Sequence, residues 1–216
     1  MRTRVKICGL TRAADIVQAA SAGADAIGFI FFPQSKRHVT PALAAQLRRE
    51  VPAFVDVVAL FVNPQPDEVR VVLDEVGPDL LQFHGDESHE FCASFDHRYM
   101  RAFRAGAPSL DTAAAVAAQS GTFRDAAAWL YDSHSAGFGG SGHGFDYGLL
   151  AGVQADPQAR PLVLAGGLTA DNVGDAIAAV RPWAVDVSSG VESAPGQKSA
   201  DKVEAFLRAV RQADVK

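Results

Sequence analysis

The chain has 216 residues, 48% of them apolar and 21% charged, the balance of a folded globular protein rather than a disordered or fibrous one. That length accommodates one sizeable core, so a single domain over residues 1–216 is expected. A formal net charge of -5 supplies no basic field to hold a nucleic acid, so none is expected as a partner and any anion site must be local.

The opening MRTRVKICGL is positively charged, but Lys6 interrupts its apolar stretch and Arg12 and Asp15 follow, so it lacks a signal-peptide core. It predicts a first strand over Arg4–Cys8, in which period-two geometry aims Lys6 and Cys8 to one face and Val5 and Ile7 to the other. AIGFIFF (Ala26–Phe32) is the second strand, and Thr40 followed by Pro41 marks a helix start as N-cap and N1. Further strands are predicted at Val57–Val62, Leu80–His84, Tyr99–Phe103, Ala128–Asp132, Pro161–Gly166 and Ala184–Ser188. Between them, Val69, Val72, Leu73 and Val76 fall on one helical stripe, and Val203, Phe206, Leu207 and Val210 on another. Thr169 and Ser199 stand where caps of the seventh and eighth helices are expected, whereas the sixth helix has the weakest signal. Ser133–Gly144 is glycine-rich and polar, and reads as the loop after strand six, either a lid over a ligand or a plain connector.

Eight βα units in this length imply a closed (β/α)8 barrel with outer helices, since right-handed crossovers put every helix outside and closure leaves no edge strand. An open, doubly wound sheet is the rival, and strand order is not written in one sequence. Both architectures place chemistry at the carboxyl ends of the strands. No run approaches the ~18 apolar residues of a membrane span. A cytoplasmic protein is therefore expected, without a membrane partner. A monomer is expected too, because no long exposed apolar segment demands a second chain.

Several strands end in residues a core does not need. Strands seven and eight close with Gly166-Gly167 and Ser188-Ser189-Gly190, offering backbone N–H groups and two hydroxyls where barrels commonly bind phosphate. A phosphorylated small molecule is the expected ligand; a pair of tight turns is the bland alternative. Cys8 ends strand one near a following helix start and near Lys6, surroundings that can lower a thiol's pKa and make it a base, although a passive buried thiol fits as well. Asp132 ends strand six beside the glycine-rich loop. Enclosure of a carboxyl by ligand and loop raises the pH at which it gives up its proton, which suits a general acid, while an N-cap or ion pair is the plain alternative. His84 ends strand four with Gln82 on the same face, and Asp86 and Glu87 are expected to open the next helix. Arg37, in the loop after strand two, could clamp a carboxylate with its planar fork. Cys8 and Cys92 form no CxxC pair and the six histidines no HExxH, so neither a disulfide scaffold nor a metal site is indicated.

KICGLTR, FPQSKRHV, LQFHGDE, LYDS, GGSGHGFDY, LAGGL and DVSSGVE with PGQK, running in order from Lys6 to Lys198, resemble the successive motifs of phosphoribosylanthranilate isomerases. The resemblance implies an Amadori rearrangement of N-(5-phosphoribosyl)anthranilate to 1-(2-carboxyphenylamino)-1-deoxyribulose 5-phosphate in tryptophan biosynthesis, with no metal or organic cofactor. It makes Asp132 the acid that opens the sugar ring and Cys8 the base at C2. It places Arg37 on the anthranilate carboxylate, His84 and Asp186 around the reacting sugar, and Gly166, Gly167, Ser188, Ser189 and Gly190 on the phosphate. Ser141 and Tyr147 depart from the threonine and tryptophan common in relatives, which bears on the sixth loop and helix.

Three other functions stay in view. An aldolase would use Lys6 as a Schiff-base nucleophile, against which stand its depth and an expected pairing with Asp186. A phosphosugar sensor would need only the phosphate motif. An isomerase of a histidine-pathway aminoaldose resembles a two-aspartate design, whereas strand one here ends in Cys8.

Overall fold

The computed structural model describes residues 2–133 and 144–215. Eight parallel strands close into a barrel in sequence order: β1 (Arg4–Cys8), β2 (Ala26–Ile30), β3 (Asp56–Phe61), β4 (Leu80–Phe83), β5 (Tyr99–Ala105), β6 (Ala128–Ser133), β7 (Leu162–Leu164) and β8 (Ala184–Val187). β8 pairs with β1, placing Asp186 opposite Lys6, and this closure decides against the open sheet. The connecting helices are α1 (Ala13–Ala22), α2 (Pro41–Arg48), α3 (Pro66–Val76), α4 (His89–Ala93), α5 (Ala113–Ser120), α6 (Ala151–Gln154), α7 (Val173–Val180) and α8 (Ala200–Asp214). A short hairpin follows β8, formed by β9 (Glu192–Ala194) and β10 (Gln197–Lys198), which sequence periodicity does not reveal.

Strand alternation sorts the strand residues onto two faces. Outward Val5, Ile7, Ile27, Phe29, Leu81, Phe83 and Phe103 join the main cluster under the helices, while Val58, Met100, Ala102, Leu130 and Val163 form a separate inner one. The stripes read from spacing face inward: Val69, Val72 and Val76 of α3 are buried, as are Val203, Phe206, Leu207 and Val210 of α8. Inner position 28 is glycine because a Cβ there would sit 2.8 Å from Cys8 Sγ and 3.1 Å from Lys6 Cε; the gap on β2 holds the Lys6 and Cys8 side chains of β1.

Thr40 caps α2, its hydroxyl accepting from Leu43 N–H at 3.2 Å, with Pro41 first in the helix. Ser199 occupies the N-cap of α8 without a side-chain capping bond. Thr169 does not cap α7. Asn172 takes that position, and its side chain accepts from the Thr169 amide at 2.8 Å, so the helix begins three residues later than expected. The sixth helix is a single four-residue turn after a 3-10 turn at Tyr147–Leu150, and Tyr147 packs edge-on against Phe145. A Cβ at Gly152 would lie 2.9 Å from the Ala113 carbonyl, so this short helix lies close against α5. Ser141 and the proposed lid, apart from its end residues Ser133 and Gly144, lie outside the described residues.

Asp86 and Glu87 precede α4 rather than open it; Ser88 is its N-cap. Glu87 is buried and pairs with buried Arg101 at 3.2 Å, accepting also from the amides of Asn63 and Gly85. Arg101 donates to the carbonyls of Phe83 and Gly85 as well, pinning the chain on both sides of His84. Arg101→Ala leaves the Glu87 carboxylate buried without its cation, so we expect a loss of about 3–5 kcal/mol in unfolding free energy. A urea titration followed by circular dichroism checks this; an unchanged midpoint would show that the pair is dispensable.

Candidate active site

Carboxyl-terminal strand ends converge on one pocket lined by Cys8, Ile30, Phe32, Arg37, Leu60, Val62, His84, Asp132, Asp186 and Ser188, among others. Six of the ten residues singled out by sequence therefore share one cavity. Lys6 lies deeper, 5% exposed, and its ammonium donates to Asp186 Oδ1 at 2.9 Å. Burial pulls the Lys6 ammonium down, but the charge and hydrogen bond of Asp186 together with those of Cys8 outweigh it and hold the group above its usual value. Lys6 is thus protonated and paired, which removes the nucleophile an aldolase needs.

The expected lowering of the Cys8 pKa is not found. Burial pushes the thiol up, and nearby Lys6, which pulls it down, does not outweigh that burial and the charge of Asp186. The helix start after β1 lies several residues away, at Ala13.

Asp132 is buried at the end of β6, and its Oδ1 accepts from the Ser133 amide at 2.7 Å. Oδ2 faces His84 Nε2 at 3.4 Å. His84 Nδ1 lies 3.1 Å from the Gln82 amide nitrogen. A cation that sequence reasoning passed over, Arg104, stands in register with Asp132 on β5 and pairs with Asp86.

Arg37 does clamp a carboxylate, but in the described structure it is that of Glu192: Nε and one terminal nitrogen donate to its two oxygens, each at 2.7 Å. Lys198 donates to the same carboxylate at 2.9 Å and to the Ser188 carbonyl at 3.0 Å. Burial pushes the Glu192 carboxyl up, yet Arg37 and Lys198 together hold it below the usual carboxylate range. Burial likewise pulls the Lys198 ammonium down, partly offset by Glu192. This Arg37–Glu192–Lys198 chain was not foreseen, because its last two members sit on the unforeseen hairpin. Their only sequence signal is membership of DVSSGVE and PGQK.

Of the phosphate candidates, Ser188 lines the pocket, while Gly166, Gly167, Ser189 and Gly190 lie in the adjoining β7 and β8 loops. Gly166 and Gly167 have positive φ of 87° and 63°, and their amides donate to no described residue. A Cβ at Gly166 would meet the Ser133 amide at 2.7 Å, and one at Gly190 the Leu168 carbonyl at 1.9 Å, so the three loops are packed backbone to backbone. The Ser188 hydroxyl donates to the Cys8 carbonyl at 3.0 Å.

The family model described as N-(5'phosphoribosyl)anthranilate (PRA) isomerase matches residues 5–209. N-(5'-phosphoribosyl)anthranilate isomerase of Bordetella bronchiseptica is 69% identical over 214 residues, covering 99% of this chain and 98% of the relative. The protein of the same name from Dechloromonas aromatica is 50% identical, with 99% of each chain covered. The phosphoribosyl anthranilate isomerase of Thermotoga maritima superposes with a TM-score of 0.87 at 36% identity, over 97% of this chain and 99% of that one. A phosphoribosyl anthranilate isomerase solved with reduced 1-(o-carboxyphenylamino)-1-deoxyribulose 5-phosphate gives a TM-score of 0.83 at 34% identity, with the same coverage. Sequence motifs, a barrel closed in strand order and matches along nearly the whole length agree: the chain belongs to the phosphoribosylanthranilate isomerase family.

Proposed function

We propose that the pocket catalyses the Amadori rearrangement of N-(5-phosphoribosyl)anthranilate to 1-(2-carboxyphenylamino)-1-deoxyribulose 5-phosphate in tryptophan biosynthesis, as one catalytic domain working as a cytoplasmic monomer. The observation that carries this is the meeting of Cys8 and Asp132, one thiol and one carboxyl from strands far apart in sequence, in a single pocket. A sensor needs neither.

Asp132 donates its proton to the furanose oxygen as the bond from that oxygen to C1 breaks, and the anthranilate nitrogen's electron pair forms C1=N. Cys8, as thiolate, then takes the proton from C2, and the electrons of that bond form C1=C2 of an enolamine while the C1=N pair returns to nitrogen. Protonation at C1 and loss of the C2 hydroxyl proton give the ketone and restore both groups. Asp186, held by Lys6, and His84 flank the sugar, and the second terminal nitrogen of Arg37, which donates to no described residue, faces the anthranilate carboxylate. The backbone and hydroxyl groups of Gly166, Gly167, Ser188, Ser189 and Gly190 hold the phosphate.

Gly190→Ala tests the phosphate end. The added methyl collides with the Leu168 carbonyl and displaces the β8 loop, so KM for phosphoribosylanthranilate should rise by about tenfold or more, with a smaller effect on kcat. Unaltered KM in a folded Gly190→Ala protein would place the phosphate elsewhere.

A further inference from the structure

Gln82 is completely buried inside the barrel, two residues before His84 on the same inward face of β4. A carboxamide nitrogen has only hydrogens to give, so at 3.1 Å from His84 Nδ1 it makes that ring nitrogen the acceptor. The single proton of the neutral ring then resides on Nε2. That atom is buried, has no hydrogen-bond partner among the described residues, and faces Asp132 Oδ2 at 3.4 Å.

We propose that Gln82 is a positioning residue that fixes His84 in the Nε2–H tautomer, so that the ring presents a donor rather than a lone pair to the Asp132 carboxyl. The proposal rests on Asp132 being the acid. At 3.4 Å the N–H is too far to bond the resting carboxyl well. Once the proton has passed to the sugar oxygen, the carboxylate can draw the N–H in to about 2.8 Å. The donor therefore stabilises Asp132 after it has given up its proton, which is where an acid catalyst gains rate. The other tautomer would aim a lone pair at Asp132, which would then hold its proton against transfer. The remaining ionisable groups around the pair, among the described residues, are Lys6 and Cys8 on β1, Arg37 after β2, Arg104 on β5 and Asp186 on β8; β3 offers Leu60 and Val62, and β7 Ala165.

Nitrogen-15 NMR of the full-length protein with labelled histidine reads the tautomer directly, the His84 signals being identified by their loss in His84→Asn. We expect Nδ1 bare and Nε2 protonated in the parent, and a mixture or the opposite tautomer in Gln82→Met. In that variant kcat should fall by about tenfold or more with KM nearly unchanged. A merely structural role for Gln82 would lower activity without changing the His84 tautomer. Gln82→Glu, whose carboxylate accepts from Nδ1–H and so enforces the other tautomer, gives the same comparison if Gln82→Met does not fold. A parent with the proton on Nδ1, or a folded Gln82 variant with the parental tautomer or with parental kcat, overturns the proposal. Full activity in Asp132→Asn would instead remove the acid itself and leave the tautomer result standing.

Discussion

Asp132→Asn should lower kcat by roughly two to four orders of magnitude while the protein folds as the parent does. The substitution keeps the shape of the side chain, and an amide oxygen can still accept from the Ser133 amide at the end of β6. What it loses is the proton delivered to the ring oxygen, and without that delivery the C1–O bond must break against an alkoxide leaving group. The affected interaction exists only as the bond breaks, so kcat should carry the loss and KM change little. Steady-state turnover followed by substrate fluorescence measures both constants, and a circular dichroism melt confirms the fold. Parental kcat in a folded variant would remove Asp132 from the chemistry.

Cys8→Ala should be impaired to a similar degree, roughly two to four orders of magnitude, because no other described side chain is placed as its equivalent. The parent adds a signature in pH. Burial raises the Cys8 thiol above its ordinary value, so at neutral pH the thiolate that must abstract the C2 proton is the minor form. Raising the pH converts thiol to thiolate, so kcat/KM should climb with pH for as long as the acid keeps its proton, and the thiolate should be detectable only above neutral pH. Lys6 helps by standing beside the forming anion while remaining bound to Asp186. Thiolate absorbance already complete at neutral pH, read as the difference between the parent and Cys8→Ala, would contradict this.

Much of this was legible in the chain because it depends on local alternation. A strand buried on its outer face and filled on its inner one announces itself by period two, which is why all eight strands and the inward aim of Lys6 and Cys8 could be read from residues alone. The same rule brought Cys8, His84, Asp132 and Asp186 to one end of the barrel. Pairings between distant segments left no such trace. The closure of β8 on β1 and the grip of Arg37 on Glu192 depend on which residues meet across more than a hundred positions, and the Lys198–Glu192 bond depends on a hairpin too short to show a period. Glu87 shows how a local rule misleads: an acid just before a helix suits the helix start, but the buried Arg101 on the next strand claims it. Cys8 shows the same for electrostatics, since a neighbouring cation was visible in sequence and the depth of burial was not. Gly28 sat unnoticed in an apolar run, although its missing side chain is what makes space for Lys6 and Cys8.

The most direct test of the whole account is to supply the purified protein with freshly prepared N-(5-phosphoribosyl)anthranilate and identify the product while following the loss of fluorescence. The account predicts multiple turnovers to 1-(2-carboxyphenylamino)-1-deoxyribulose 5-phosphate by the parent, abolished to near background in Cys8→Ala and Asp132→Asn. Tight binding of the substrate without its conversion would contradict it, and would make the pocket a phosphosugar receptor instead.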